Sequence, residues 1–234
     1  MKKQLLSAMV FSVATVSLSA SANSLENVGV GVSYGLFSGP TLEMSYPLSD
    51  SFSVRGALSS GMSLSQTDSG SGTEVDYTVD TKGGIHRLVL DYRPMGGNFF
   101  VSAGYAINNF EVTADADQNT LGQVTIGDQT YDGSANLSLN GVIDWDNAPL
   151  LTLGWGHSPE AGWGALFEIG AIFTGSGNVS LNGSGTVTSG GTIYDVSTDP
   201  TVRAALDSEE ARIKSDIADY DFLPVLQAGI TYRF

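Results

Sequence analysis

From Val28 onward the chain alternates large apolar residues with Gly, Ser and Thr, and it does so in eight separate stretches. Val28, Val30, Val32, Tyr34 and Leu36 share one face of the first, with Gly and Ser between them. A period of two means β-strand. The composition of the second face narrows the choice further. A soluble sandwich packs its apolar face inward and shows charge to water on the other. Here the second face is small and weakly polar, which suits the crowded interior of a barrel. The pattern returns at 41–48, 52–64, 87–92, 99–107, 151–156, 163–173 and 226–234. Eight strands is an even number and the smallest size of bacterial outer-membrane barrel. The predicted fold is all-β: an eight-stranded antiparallel transmembrane up-and-down β-barrel with long outer loops.

The connections are asymmetric. Pro47–Ser51, Pro94–Asn98 and Ser158–Gly162 are short, whereas roughly 66–82, 115–146 and 175–220 are long and acidic. Short periplasmic turns and long outer loops are the habit of such barrels. Aromatic residues collect near strand ends. Tyr46, Phe52, Tyr92, Phe99, Trp155, Trp163, Tyr232 and Phe234 lie toward the short turns. Tyr34, Phe37, Tyr105, Phe110 and Phe173 lie toward the long loops. Two such belts are what a membrane interface selects. Tyr232 and Phe234 end an alternating strand and look like a C-terminal assembly signal, read by the barrel-assembly machinery. Within the last long loop, Asp199 can cap and Pro200 can begin a short surface helix over 199–217, expected to act as a lid on the barrel mouth.

The N-terminus reads as a secretory signal peptide over residues 1–22. Lys2 and Lys3 form its basic region, Leu5–Leu18 its apolar region, and Ala20-Ser21-Ala22 its cleavage site. The mature barrel is then residues 23–234, exported through the Sec pathway to the outer membrane of a Gram-negative cell. Removal of Lys2 and Lys3 takes the formal charge from −15 to −17. Of the 25 acids, 19 fall within 66–82, 111–146 and 175–221, so the charge sits in water. So acidic a chain would repel nucleic-acid phosphates. With no Cys there is no disulfide, thiolate metal site or cysteine nucleophile. No metal or cofactor is expected.

Strand parity turns Glu43, Arg55, Arg87, Asp91, Glu168, Gln227 and Arg233 inward. Charges inside so narrow a barrel must pair. They form either a satisfied polar core that plugs it or the lining of a narrow polar path. Of the two histidines, His157 reads as a belt residue at a periplasmic turn, and His86 as interfacial on the lipid-facing side. Neither has an acidic neighbour at strand spacing, so no oriented base for catalysis is expected, and the chain does not read as an enzyme.

Several short motifs fall in a telling order: Asp146-Asn147-Ala148-Pro149 leading into Leu153-Gly154-Trp155-Gly156, then Trp163-Gly164 with Phe167-Glu168-Ile169-Gly170-Ala171 and Thr174-Gly175. Glu210-Ala211-Arg212-Ile213-Lys214 and Asp219-Tyr220-Asp221-Phe222-Leu223-Pro224-Val225 follow, with Gly229 behind them. From residue 146 onward the chain resembles the CarO-type outer-membrane proteins, the carbapenem-associated or ornithine-uptake porin family. The resemblance implies an eight-stranded outer-membrane barrel that helps small, especially basic, amino acids across. No ligand-binding motif maps residue by residue. The expectation is a monomer, in contact with outer-membrane lipid, for passive passage or binding of small polar, cationic solutes. The alternative is a closed, non-conducting barrel acting through its extracellular loops.

Overall fold

The computed structural model describes residues 27–68, 77–117, 122–133 and 136–234; residues 1–22, expected to be a signal peptide, lie outside them. The first six strands are β1 (Gly29–Gly35), β2 (Gly39–Pro47), β3 (Phe52–Ser59), β4 (Leu64–Asp68), β5 (Tyr77–Lys82) and β6 (Ile85–Tyr92). The next six are β7 (Phe99–Asn108), β8 (Glu111–Asp117), β9 (Gln123–Ile126), β10 (Gln129–Gly133), β11 (Ser138–Asp144) and β12 (Ala148–Trp155). Then come β13 (Gly162–Ile172), β14 (Asn178–Ser184), β15 (Thr186–Ser189), β16 (Thr192–Asp195), helix α1 (Pro200–Asp216) and β17 (Leu223–Arg233).

Eight of these strands close a barrel in the order β1-β17-β13-β12-β7-β6-β3-β2, all neighbours antiparallel. They are the eight alternating stretches of the sequence. Closure comes from pairing Gly29 with Arg233 through Gly35 with Gln227. Asn27, the first described residue, meets Phe234 at the short-turn side, its amide donating to the Phe234 carbonyl at 3.3 Å. The apolar set faces out: Leu42, Met44, Leu58, Leu88, Leu153, Ile169 and Ile230 are all exposed. The inward set alternates long with small. Arg87 lies across from Ala57 and Ala106, and Phe100 lies across from Gly154. Such alternation lets long side chains cross a narrow interior without collision.

The described residues of the three long connections are largely β-strand. They fold into a five-stranded sheet, β14-β11-β8-β5-β4, and a four-stranded sheet, β16-β15-β10-β9. Val124, Ile126, Tyr131, Leu137, Val187, Val196, Val202 and Leu206 form a second apolar core between these sheets and α1. Helix α1 therefore packs on the outer sheets rather than serving as a free lid. Asp199 caps it, its carboxylate accepting from the amides of Thr201 (2.8 Å) and Val202 (3.2 Å).

The aromatic belt at the short-turn side is present. Phe52 stacks on Tyr92, while Trp163 meets Tyr232 and Tyr232 meets Phe234 edge to face, at 5.0–5.1 Å between ring centres. The outer belt is thinner than the sequence suggests. Tyr105 and Phe173 are exposed, but Phe110 is buried and Phe37 packs against it, 5.2 Å between centres. The reason is parity: Asn108 and Phe110 turn inward where β7 leaves the barrel.

Candidate functional site: the barrel interior

The barrel interior is built in layers, and the middle layer gathers six of the seven residues that parity turns inward. Arg55 is its hub. Its Nε and Nη2 donate to the two oxygens of Asp91, both at 3.0 Å, and its Nη1 and Nη2 donate to the two oxygens of Glu168, both at 3.0 Å. A further Nη1 contact reaches Glu43 at 3.4 Å. With a further Nη2 contact to the Ser102 hydroxyl at 3.2 Å, all three guanidinium nitrogens are engaged, and the forked geometry suits two carboxylates at once. Arg87 donates to Glu168 (3.3 Å), Glu43 (3.2 Å) and the Gln227 carbonyl (2.5 Å). Gln227 in turn donates its amide to Glu43.

Hydroxyls complete the carboxylates. Ser102 donates to Asp91 at 2.5 Å, Thr152 to Glu168 at 2.5 Å, and Ser33 to Glu43 at 3.5 Å. Each of the eight barrel strands thus contributes a side chain to one connected layer. Arg55 is 1% exposed and Glu168 0%. Three carboxylates face two guanidiniums in a region without bulk water, so their stability depends on mutual pairing.

Toward the short turns lies a second layer. Phe100 is held between two guanidiniums, Arg55 at 5.1 Å and Arg93 at 5.5 Å from its ring centre. Gly154 makes this possible, because a Cβ there would run into the Phe100 ring. Arg233, the seventh inward residue, sits at this end, away from the central layer. It donates to the carbonyls of Ser158 (2.5 Å) and Asn27 (2.6 Å). Toward the outer mouth lies a third, apolar layer of Ile85, Val89, Ala106, Phe110, Ala148, Leu150, Ile172, Leu223 and Val225.

His157 departs from the sequence expectation. It is not a belt residue: it is 2% exposed and points into the barrel. Its Nε2 lies 2.6 Å from a Glu43 oxygen and its Nδ1 3.3 Å from the Ser45 hydroxyl. It does have an acidic partner, from a strand distant in sequence. A carboxylate can only accept, so Nε2–H donates to Glu43, and in the neutral ring Nδ1 accepts from Ser45. His157 takes a left-handed backbone (φ 45°) after Gly156 (φ 138°), and this turn swings the ring inward. No period-two pattern could show that. Arg93 fixes the turn, donating to the His157 carbonyl at 2.8 Å. Serine, histidine and carboxylate in series have the outline of a nucleophile relay. Here the serine is buried, 1% exposed. The series joins Ser45 of β2, the turn after β12 and Glu43 of the middle layer by hydrogen bonds.

His86 sits at the outer end of β6, half-buried, with Nδ1 accepting from the Ser59 amide at 3.2 Å. Among the described residues no group of three His, Cys, Asp or Glu side chains converges as a metal site.

A closed eight-stranded barrel with an apolar outside, an aromatic belt and an ion-paired inside defines a class, the small membrane-type β-barrel. Two solved structures share this fold with the chain. They are CarO of Acinetobacter baumannii (TM-score 0.54, 22% identity) and CarO2 of the same organism (TM-score 0.55, 23% identity). Each comparison covers 90% of this chain and 99% of the other. No protein-family model matches the sequence, and no curated protein matches it significantly.

Proposed function

We propose that the protein is an outer-membrane barrel that is closed in its resting state, exported by the Sec pathway, and that its working part is the folded outer assembly. The observation that carries this reading is the middle layer. Arg55 alone bridges Glu43, Asp91 and Glu168, which stand on three other strands, and the apolar layer above excludes water. An open path would require buried ion pairs to separate, and leaving a buried charge unpaired costs about 3–5 kcal/mol. The barrel then serves as an anchor, and binding falls to the outer sheets and α1, consistent with the tendency of outer loops to carry function.

A second reading, passive passage of small cations such as basic amino acids, is favoured by one observation. Most of the acidic residues lie in the outer assembly, and an acidic mouth raises the local concentration of cations by steering. Single-channel recording of the refolded mature protein in a planar bilayer separates the two. It should be made with and without ornithine, at low and high salt. The closed reading expects silence from protein shown to be folded. Discrete steps with cation preference, weaker at high salt, would replace it with the passage reading.

A further inference from the structure

Helix α1 lies along two edges of the outer sheets, β14 and β9. On β14 the Leu181 amide, turned away from β11, donates to Glu210 of the helix at 3.1 Å. After β9, a Cβ on Gly127 would stand 3.0 Å from the Ala205 carbonyl. The β16 edge of the four-stranded sheet has no such cover: among the described strands it pairs with β15 alone.

The register tells which backbone groups that edge presents. Gly190-Gly191 is a two-residue turn, so Ser189 and Thr192 form the hydrogen-bonded pair that closes it. Such pairs alternate along an antiparallel ladder. Thr192 and Tyr194 therefore turn their backbone groups toward β15. The Val196 amide, on the Gly185 carbonyl at 3.0 Å, keeps the same phase. Ile193 turns both its N–H and its C=O outward, and Asp195 turns its N–H outward. The Asp195 carbonyl is engaged, accepting from the Asp199 amide at 2.8 Å.

The side chains beside these groups are an apolar one and two acids. Ile193 is 70% exposed, unlike the valines on the core side of the same sheet. Asp195 shares its face of the sheet. So does Asp132, because Ile193 faces Thr188 and Thr188 faces Asp132. Both acids are exposed. Ser197 and Thr198 hold the Asp195 carboxyl below the usual Asp range, so it is charged at neutral pH. Open edges are normally blunted by Lys, Pro or a bulge. The β16 strand, Thr192-Ile193-Tyr194-Asp195, has none of these.

We infer that β16 is a docking edge for an extended, basic segment of another protein, which adds to the sheet as an antiparallel fifth strand. One residue of that segment exchanges both backbone bonds with Ile193 and lays an apolar side chain beside it. Two residues earlier, a Lys or Arg stands beside Asp195, and its carbonyl accepts from the Asp195 amide. A second copy of this chain fits poorly. Pairing Ile193 with Ile193 would put Gly191 beside Asp195, and each chain carries a formal charge of −15. The inference rests on the outer assembly being the working part.

The test uses the full mature barrel refolded in detergent micelles, with amide resonances followed. The probe is an end-blocked peptide of threonine, lysine, threonine, valine and threonine in that order. A saturable shift centred on Ile193 and Asp195 is expected, with the barrel amides unmoved. Methylating the valine nitrogen removes the donor to Ile193 and should weaken binding about tenfold. Exchanging the lysine for glutamate should weaken it further at low salt than at high salt. Ile193→Lys, at so exposed a position, should keep the parent's urea midpoint yet lose the peptide. Ile193→Pro should lose it too, by removing a donor that β15 does not use. No saturable shift at β16 overturns the inference. Equal binding of the methylated peptide overturns it, since side chains alone would then be holding the probe. Equal binding of the glutamate peptide at low salt removes the basic partner. The same shifts on raising protein concentration without peptide would make a second copy the occupant. None of these results depends on conductance, so a silent barrel that ignores the peptide removes this inference and leaves the closed-barrel reading standing.

Discussion

In the barrel, Arg55 is 1% exposed and Leu88 is 63% exposed; in the outer assembly, Val187 and Val196 are fully buried while Arg203 and Asp128 face outward. The same chain is inside-out in one region and conventional in the other. The difference follows from the surroundings. A barrel in lipid gains nothing by hiding leucine, and with eight strands its interior is too narrow for anything but its own side chains. There, specificity comes from pairing charges: Arg55 accepts only an arrangement that brings three carboxylates to it. The outer assembly is surrounded by water, so burying valine and leucine drives its folding. Helix α1 supplies Val202 and Leu206 to that core from a sequence with only a sparse apolar stripe.

The largest expected effect breaks the barrel side of the comparison. Arg55→Met keeps an unbranched apolar stem but leaves Asp91, Glu168 and Glu43 short of their main cation, at a cost of about 3–5 kcal/mol. Urea unfolding of the barrel in detergent reads it. A loss below about 1 kcal/mol would mean that the central layer is hydrated and easily rearranged. Leu206→Ala is the counterpart in the outer core and should cost about 2–5 kcal/mol. That loss should appear as faster amide exchange in α1, β9 and β10, with the barrel midpoint unmoved. If the barrel midpoint falls as well, the two regions fold as one unit.

A sharper test changes the surroundings rather than the residue. Leu88 on the barrel wall and Ile193 on β16 are similarly exposed, 63% and 70%. Leu88→Lys should cost about 2–4 kcal/mol, as for a cation placed on the lipid face of a barrel. Ile193→Lys should change stability by no more than about 0.5 kcal/mol, as is usual for an exposed site in water. Chemical unfolding of both in lipid vesicles measures the contrast. Equal costs would remove the claim that the two apolar surfaces face different solvents.

The two regions also differ in how far they could be read from sequence. The barrel strands were legible because lipid imposes strict alternation, and the same parity placed Glu43, Arg55, Arg87, Asp91, Glu168 and Gln227 on the inside. The outer strands were not, because Tyr77–Lys82 and Ser138–Asp144 mix Thr, Ser, Asn and Asp with few apolar residues. Two hairpin signals were nevertheless present. Gly127-Asp128 links β9 to β10 and Gly190-Gly191 links β15 to β16, both of them two-residue turns with glycine at positive φ. His157 was hidden for a different reason. A left-handed turn moved it across the wall, and its partner Glu43 lies 114 residues earlier. Only the closed barrel brings them together.

The smallest effects concern the entry to α1, where two acids hold successive turns. Asp199→Ala removes the acceptor for the Thr201 and Val202 amides and should cost about 1 kcal/mol. Because Val202 stands at the start of the helix and in the outer core, the loss should raise amide exchange across α1 about fivefold while the barrel is unaffected. Just upstream, the Ser197 hydroxyl (2.6 Å) and amide (2.9 Å) donate to Asp195 and hold its carboxyl below the usual Asp range. A carboxyl lowered on folding stabilises the folded form above the ordinary Asp value near 4. That contribution is lost only as the pH falls through the lowered value. Exchange at Ser197 and Thr198 should therefore be steady down to about pH 4 and rise, beyond the intrinsic acid dependence of exchange, only below it. Asp195→Asn should remove that step. A step already present near pH 6 would show that another group governs the turn.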